Sequence, residues 1–216
     1  MTGPLGAGPS RTAVFTARLV RDAQAAVFGG ARDQSYAAAV QVGMRAIDVF
    51  SKIYDAPAVV RTRLLTVGIP RVIALTRGLK ICVEAADSEQ AVTTMPLSSR
   101  SRNHLGSIYI GALLVQAEIT MATLVISLFR PPAFRVLVKK SEAEYHARAE
   151  GTVRARCAPD GDERDGLLAL RALVNDKGEA WVTVLLESAA DARPLASMRF
   201  LVAVKHNAEY SGIRLR

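Results

Sequence analysis

The sequence predicts an α+β fold: one long buried helix wrapped by an antiparallel sheet, preceded by a helical N-terminal extension. Three observations carry this. Leu105 to Phe129 is an apolar run that holds a single charge, Glu118, and is closed by Pro131-Pro132, which cannot continue a helix. Stretches of period-two alternation lie on both sides of it. The first third of the chain repeats its apolar residues at helical spacing instead. Strands, one helix, then more strands is the order of a segregated α+β domain.

The elements follow in chain order. Residues 1–10 are rich in Gly and Pro. Phe15, Leu19, Ala23 and Val27 recur every four residues, which predicts a helix over 12–28 ended by Gly29-Gly30. Asp33 or Ser35 caps a second helix, whose stripe is Tyr36, Val40, Met44, Ile47, Phe50 and Tyr54. Pro57 suits the first turn of a third, reaching about Leu75 with an interruption near Gly68 and Pro70. From Gly78 the period changes: Leu79, Ile81 and Val83 alternate with Lys80, Cys82 and Glu84, a strand. Asp87-Ser88 is a turn signal and Gln90 to Met95 the returning strand. A polar loop, 98–103, leads into the long helix at about His104. Beyond it, Phe134, Val136 and Val138 alternate, and the pattern resumes through Tyr145 to Cys157. Residues 159–166 read as a charged turn, Leu167 to Val174 as an apolar stretch open between helix and strand, and Asn175 to Gly178 as another turn. Trp181 to Leu186 and Met198 to Val204 are strands. The organisation is a basic helical extension at 1–77, a domain at 78–206 and a tail at 207–216.

Composition narrows the function classes. The net charge is +8, and residues 1–76 hold nine basic side chains against four acidic. A basic surface suits nucleic acid, anionic lipid or a phosphorylated small ligand. Aromatics are only 6%, and no basic stretch is interleaved with them as base stacking requires, so nucleic acid is not expected. Cys82 and Cys157 are too few for a disulfide framework or a Cys-rich zinc module, and suit a reducing compartment. No metal-ligand spacing, Walker motif or nucleophile elbow is present, so no metal or cofactor is expected. Arg11, Arg18 and Arg21, with Ser10, Thr12 and Thr16, resemble a mitochondrial transit peptide, but an ordinary basic helix is the simpler reading. The expected location is cytoplasmic, with the mitochondrial matrix as the alternative. A charge near the middle of Leu105–Phe129 is costly in lipid, so the run reads as the core helix of a soluble domain and not as a transmembrane span.

The segment Arg102-Asn103-His104-Leu105-Gly106-Ser107-Ile108-Tyr109-Ile110-Gly111, continuing to Ala117-Glu118, carries a resemblance. It is similar to the central-helix motif of the hotdog-fold PaaI-like acyl-CoA thioesterases: Asn-x-x-Gly-Thr-x-His-Gly-Gly, an apolar turn or two, then Ala-Asp or Ala-Glu. The branch is an uncharacterised one with a longer helical N-terminus. The spacing fits without a gap, and the strand order matches over 78–206. Asn103 falls on the family Asn, Gly106 on the first Gly, Gly111 on the last and Glu118 on the catalytic carboxylate. Tyr109 stands where the family has His, and Ile110 where it has the first Gly of the pair. The resemblance implies homodimers or dimers of dimers, because the family's sites form where two protomers meet, and an acyl-CoA or other acyl thioester as substrate.

The residues support that chemistry independently. A helix N-terminus presents free amides and a positive dipole end to a developing oxyanion. Gly106 and Gly111 let backbone or ligand come close, and a branched Ile110 narrows the approach. Glu118 lies seven residues beyond Gly111, two turns on along the same face. It is expected to be buried with a raised pKa, as general base or nucleophile, or else to be a structural carboxylate paired with an Arg. Asn103 positions water or the carbonyl, caps the helix, or does both. His104 is a bystander, and His146 and His206 are structural. Lys139, Lys140, Arg148, Arg154 and Arg156 either meet CoA phosphates or form a solvated strand face.

Three functional readings follow. The first is acyl-thioester hydrolysis with Glu118 and Asn103 catalytic and Gly106, Tyr109, Ile110 and Gly111 lining the substrate. The second is a non-catalytic hotdog acyl-binding or scaffold subunit, with a protein partner on the N-terminal helices. The third is a hotdog dehydratase, for which His104 is the one poorly placed candidate.

Overall fold

The structure, a computed structural model, describes residues 53–129, 134–172 and 177–206. Helix α1 (Ala58–Val72) and a 3-10 turn (Ala74–Thr76) precede strands β1 (Cys82–Ala86) and β2 (Ala91–Met95). The central helix α2 (Ile110–Phe129) follows, then β3 (Phe134–Tyr145), β4 (Val153–Cys157), helix α3 (Gly161–Ala172), β5 (Lys177–Ser188) and β6 (Pro194–His206).

The strands form one six-stranded antiparallel sheet in the order β1-β2-β4-β5-β6-β3. Successive strand side chains face opposite sides. Thus Ala91, Thr93 and Met95, Val153, Ala155 and Cys157, Val182, Val184 and Leu186, and Met198, Phe200 and Val202 are all buried at every second position. α2 packs on β2, β4 and β5. Thirteen of its 20 residues are buried. By length and composition it could cross a membrane, but 72% of its most apolar window is buried inside the fold. The sheet does for this helix what lipid would do for a spanning one.

The expected helical extension can be judged only from residue 53 on; the predicted helices over 12–28 and from 33, apart from Ile53 and Tyr54, lie outside the described residues, as do the tail 207–216 and Pro131-Pro132. Tyr54 is buried and its hydroxyl donates to the Thr123 carbonyl of α2 at 3.1 Å. Leu64, Leu65 and Ile69 of α1 join the same core.

Four local expectations need correction. α1 runs on through Gly68 and Pro70; Pro70 sits in its last turn, close to where the helix ends at Val72. The first strand begins at Cys82, because Lys80 has φ +57°, outside the extended region, although Leu79, Ile81 and Val83 are all buried as expected. The charged stretch 159–166 is the start of α3: the Asp160 carbonyl accepts the Glu163 and Arg164 amides, and Asp162 and Glu163 suit the positive helix end. Of the ambiguous run after it, Leu167 to Ala172 belong to α3, with Leu167 and Leu170 buried against β5, and residues 173 and 174 lie outside the described residues. Finally, α2 begins at Ile110, not at His104.

Candidate active site at the start of the central helix

The delay of α2 has a local cause. Asn103 offers nearby amides a partner outside a helix. Its Oδ1 accepts the amides of Leu105 at 2.9 Å and Ser107 at 3.1 Å, its Nδ2 donates to Ser107 Oγ at 3.0 Å, and its own amide donates to the Ser107 carbonyl at 2.8 Å. Gly106, at φ +81°, closes the turn in a conformation other residues resist. The next two amides are spent on other segments: Ile108 donates to the Ala149 carbonyl at 2.8 Å and Tyr109 to Ser101 at 2.7 Å. Arg148 also holds the loop, donating to the Leu105 carbonyl.

Tyr109 is the residue before the helix, and its carbonyl accepts the amides of Ala112 and Leu113. That leaves the amides of Ile110 and Gly111 as the first of the helix, with no acceptor within the described chain. The Tyr109 ring lies along this turn. A Cβ built on Gly111 would sit 2.8 Å from Tyr109 Cε1 and 3.1 Å from Cδ1. Gly111 is therefore required for the ring to lie where it does. Tyr109 is 57% exposed and Ile110 54% exposed.

Glu118 is two turns further on, about 10 Å along the axis. It shares an outward stripe with Gly111, Val115, Ala122 and Ile126, of which it alone is charged. Helical side chains lean towards the N-terminus, so its carboxylate is aimed back towards the Gly111 turn. The expectation of burial is corrected: Glu118 is exposed on this chain, because it points away from the sheet and the other members of the stripe are only half-buried.

The sequence-predicted residues therefore divide. Gly111 and Glu118 share the outward stripe of α2 and Tyr109 and Ile110 are exposed at its start, whereas Asn103 is half-buried with its polar atoms engaged within its own loop, and Gly106 turns that loop. His104 is exposed. His146 Nε2 lies 3.3 Å from Ser197 Oγ. Of the bases expected on strands, Lys139 pairs with Glu179, Lys140 with Glu142 and Arg154 with Glu84, Arg156 is exposed, and Arg148, which lies between β3 and β4, pairs with Glu150. Among the described residues no group of His, Cys, Asp and Glu is arranged to hold a metal ion.

Two groups escaped the sequence reading. Ser107 is the buried partner of Asn103, and its place in the Gly-Ser step of the motif was the available signal. Behind α2, the buried Gln116 donates through Nε2 to the carbonyls of Thr93 at 3.3 Å and Val153 at 3.1 Å, and Thr120 meets Thr93 through their hydroxyls at 2.7 Å. Gln116 and Thr120, four apart in an apolar helix, were its trace. This network ties the helix to β2 and β4.

Titration elsewhere follows charge and burial. Burial pushes the Cys157 thiol up to about 12, with a smaller contribution from Glu163. Hydrogen bonds from Arg164 and Lys140 hold Glu89 and Glu142, respectively, below the ordinary carboxylate value.

One long helix inside an antiparallel sheet of order β1-β2-β4-β5-β6-β3, entered through an Asn-Gly loop, defines a hotdog domain. The chain belongs to the family described as domain of unknown function DUF4442, whose model matches residues 61–200. No curated protein matches it. Among solved structures it is similar to PA5026 from Pseudomonas aeruginosa, a protein of unknown function and probable thioesterase, with 22% identity over 68% of this chain and 94% of that one and a TM-score of 0.59. A substituted form of thioesterase PA1618 from the same organism aligns at 18% identity, over 68% and 94%, with a TM-score of 0.54. Thioesterase HI1161 from Haemophilus influenzae aligns at 14%, over 70% and 92%, with a TM-score of 0.53. At these identities the likeness establishes the fold.

Proposed function

We propose that this protein hydrolyses acyl thioesters, with an acyl-CoA as the substrate class. One observation carries the reading: the first amides of α2, those of Ile110 and Gly111, have no acceptor among the described residues, and the exposed carboxylate of Glu118 stands two turns further along the same helix. The amides are oriented to take the charge that develops on a thioester oxygen when its carbonyl carbon is attacked. Glu118 removes a proton from the attacking water, and the tetrahedral intermediate breaks its C–S bond to expel the thiolate, which takes up that proton. Alternatively, Glu118 attacks the carbonyl carbon itself and expels the thiolate, and water then cleaves the mixed anhydride to free the acid and the carboxylate and to supply the thiolate's proton. The neighbours' thioesterase descriptions support the reaction class.

A second copy of the chain completes the site. The Glu118 stripe is apolar apart from the carboxylate, and β3 at the sheet edge exposes Leu137, Val138 and Tyr145. Covering the stripe would dry the site and strengthen the amides' hold on the oxyanion.

A second reading has its own observation. The Tyr109 ring occupies the space against Gly111, beside the amides a thioester would need. If the ring excludes the carbonyl, the fold binds acyl chains without turning them over. The test is release of free CoA from a panel of short, long and aryl acyl-CoAs. Turnover of at least one supports hydrolysis. Binding without turnover, measured by calorimetry, supports the acyl-binding reading, and the absence of both binding and turnover overturns both.

A further inference from the structure

The front of the described chain carries a surface that the thioester site does not use. α1 turns Val59, Arg63 and Val67 to solvent at four-residue intervals, and its last residue, Val72, with Ile73 and Leu75 beyond it, is exposed too. Val59 is 65% and Leu75 71% exposed. Between residues 56 and 83 there is no acidic side chain, and Arg63, Arg77 and Lys80 are exposed there, with Arg71 half-buried at the helix end. Arg100 adds its charge from the loop before α2, its side chain lying against Gly78. Arg71 and Arg77 donate to the carbonyls of Val67 and Pro70, which places positive charge over the helix end whose dipole would otherwise repel an anion.

We propose that the outer face of α1 and the Val72–Leu75 corner dock on an anionic lipid surface. The complementarity is of two kinds at once. Aliphatic side chains enter the boundary between headgroups and acyl chains, and the surrounding bases meet lipid phosphates. The sequence ahead of this surface has the same sign, with six basic and three acidic residues in 1–52. The proposal is independent of the hydrolase reading.

The test is co-flotation of the full chain with vesicles of phosphatidylcholine alone or mixed with phosphatidylglycerol, at low and high salt. The comparison variant carries Ile73→Asp and Leu75→Asp, both exposed, with folding checked by circular dichroism. The expected result is binding to the phosphatidylglycerol vesicles that salt reverses, with affinity at least about tenfold lower for the variant and for neutral vesicles. No binding to anionic vesicles overturns the proposal, an acidic protein partner then being the better occupant. Equal binding by the variant also overturns it, by placing the contact elsewhere in the chain, and so does binding indifferent to lipid charge and salt.

Discussion

Replacing Asn103 with alanine separates the two roles that its position suggests. The substitution removes four side-chain hydrogen bonds, three accepted by Oδ1 and one donated by Nδ2. Leu105 is exposed, so water replaces the bond to its amide at little cost. Ser107 is buried, so its amide and hydroxyl lose partners that water cannot readily supply. Leaving such groups unsatisfied costs about 1–3 kcal/mol, and about 2 kcal/mol is expected here. For a domain of this size that lowers Tm by roughly 4–8 °C. Asn103→Asp keeps the acceptor, and Ser107 Oγ can donate to the new carboxylate, so it should lose less than about 1 kcal/mol. Thermal unfolding followed by circular dichroism measures both. If Asn103→Ala melts within about a degree of wild type, the loop does not depend on Asn103 and a direct role at the substrate becomes the better explanation. If Asp is as damaging as Ala, the acceptor geometry is not what holds the loop.

Other substitutions test neighbouring parts of the structure. Gly111→Ala should displace the Tyr109 ring and reduce acyl-CoA turnover or binding, while stability changes by less than about 1 kcal/mol because the added helix propensity offsets the lost contact. Tyr109→Ala should restore function to the Gly111→Ala protein in a double-mutant cycle, and purely additive losses would contradict the ring contact. Glu163 accepts the amide of Thr183 at 2.9 Å and its hydroxyl at 2.6 Å, so Glu163→Ala should cost about 1–3 kcal/mol in urea unfolding; an unchanged midpoint would show that α3 does not seal β5 through this carboxylate. Cys157 should resist a thiol reagent at pH 8 in the native protein while the exposed Cys82 reacts. The native thiol keeps its proton up to about 12, whereas an unfolded one loses it near about 8.5. Stability from this group is thus complete below the unfolded value and falls as pH rises above it. Wild type should lose more urea stability between pH 8 and 10 than Cys157→Ala does, and parallel losses would refute the assignment.

The fold was legible where residues had one dominant environment. The apolar length of α2 and the alternation at Ala91–Met95 and Val182–Leu186 each reported a buried helix or a one-sided strand, and the Asn103-to-Glu118 spacing tied them to a family. The failures have local causes. At 103–109 side-chain hydrogen bonding displaced the helix start by several residues, an outcome no periodicity records. At 160–172 charges suited to a helix N-terminus looked like a turn, since the same residues serve both. At Pro70 position within the helix mattered more than residue type. Glu118 was misjudged most instructively: an isolated charge in an apolar run signals burial only when the helix is covered all round, and the sheet of one chain covers α2 on one side.

The role of Glu118 is the central claim, and one comparison tests it most directly. Using the acyl-CoA turned over fastest by wild type, kcat and KM are measured for Glu118→Gln, with folding checked by circular dichroism and thermal melting. Because the side chain is exposed, the melt should stay within about 0.5 kcal/mol of wild type. The expected result is a fall in kcat of about 10²–10⁴ with KM little changed, since the amide keeps the shape of the carboxylate but cannot take a proton. Glutamine turning over at the wild-type rate would contradict the account, and would move the catalytic group elsewhere in the fold.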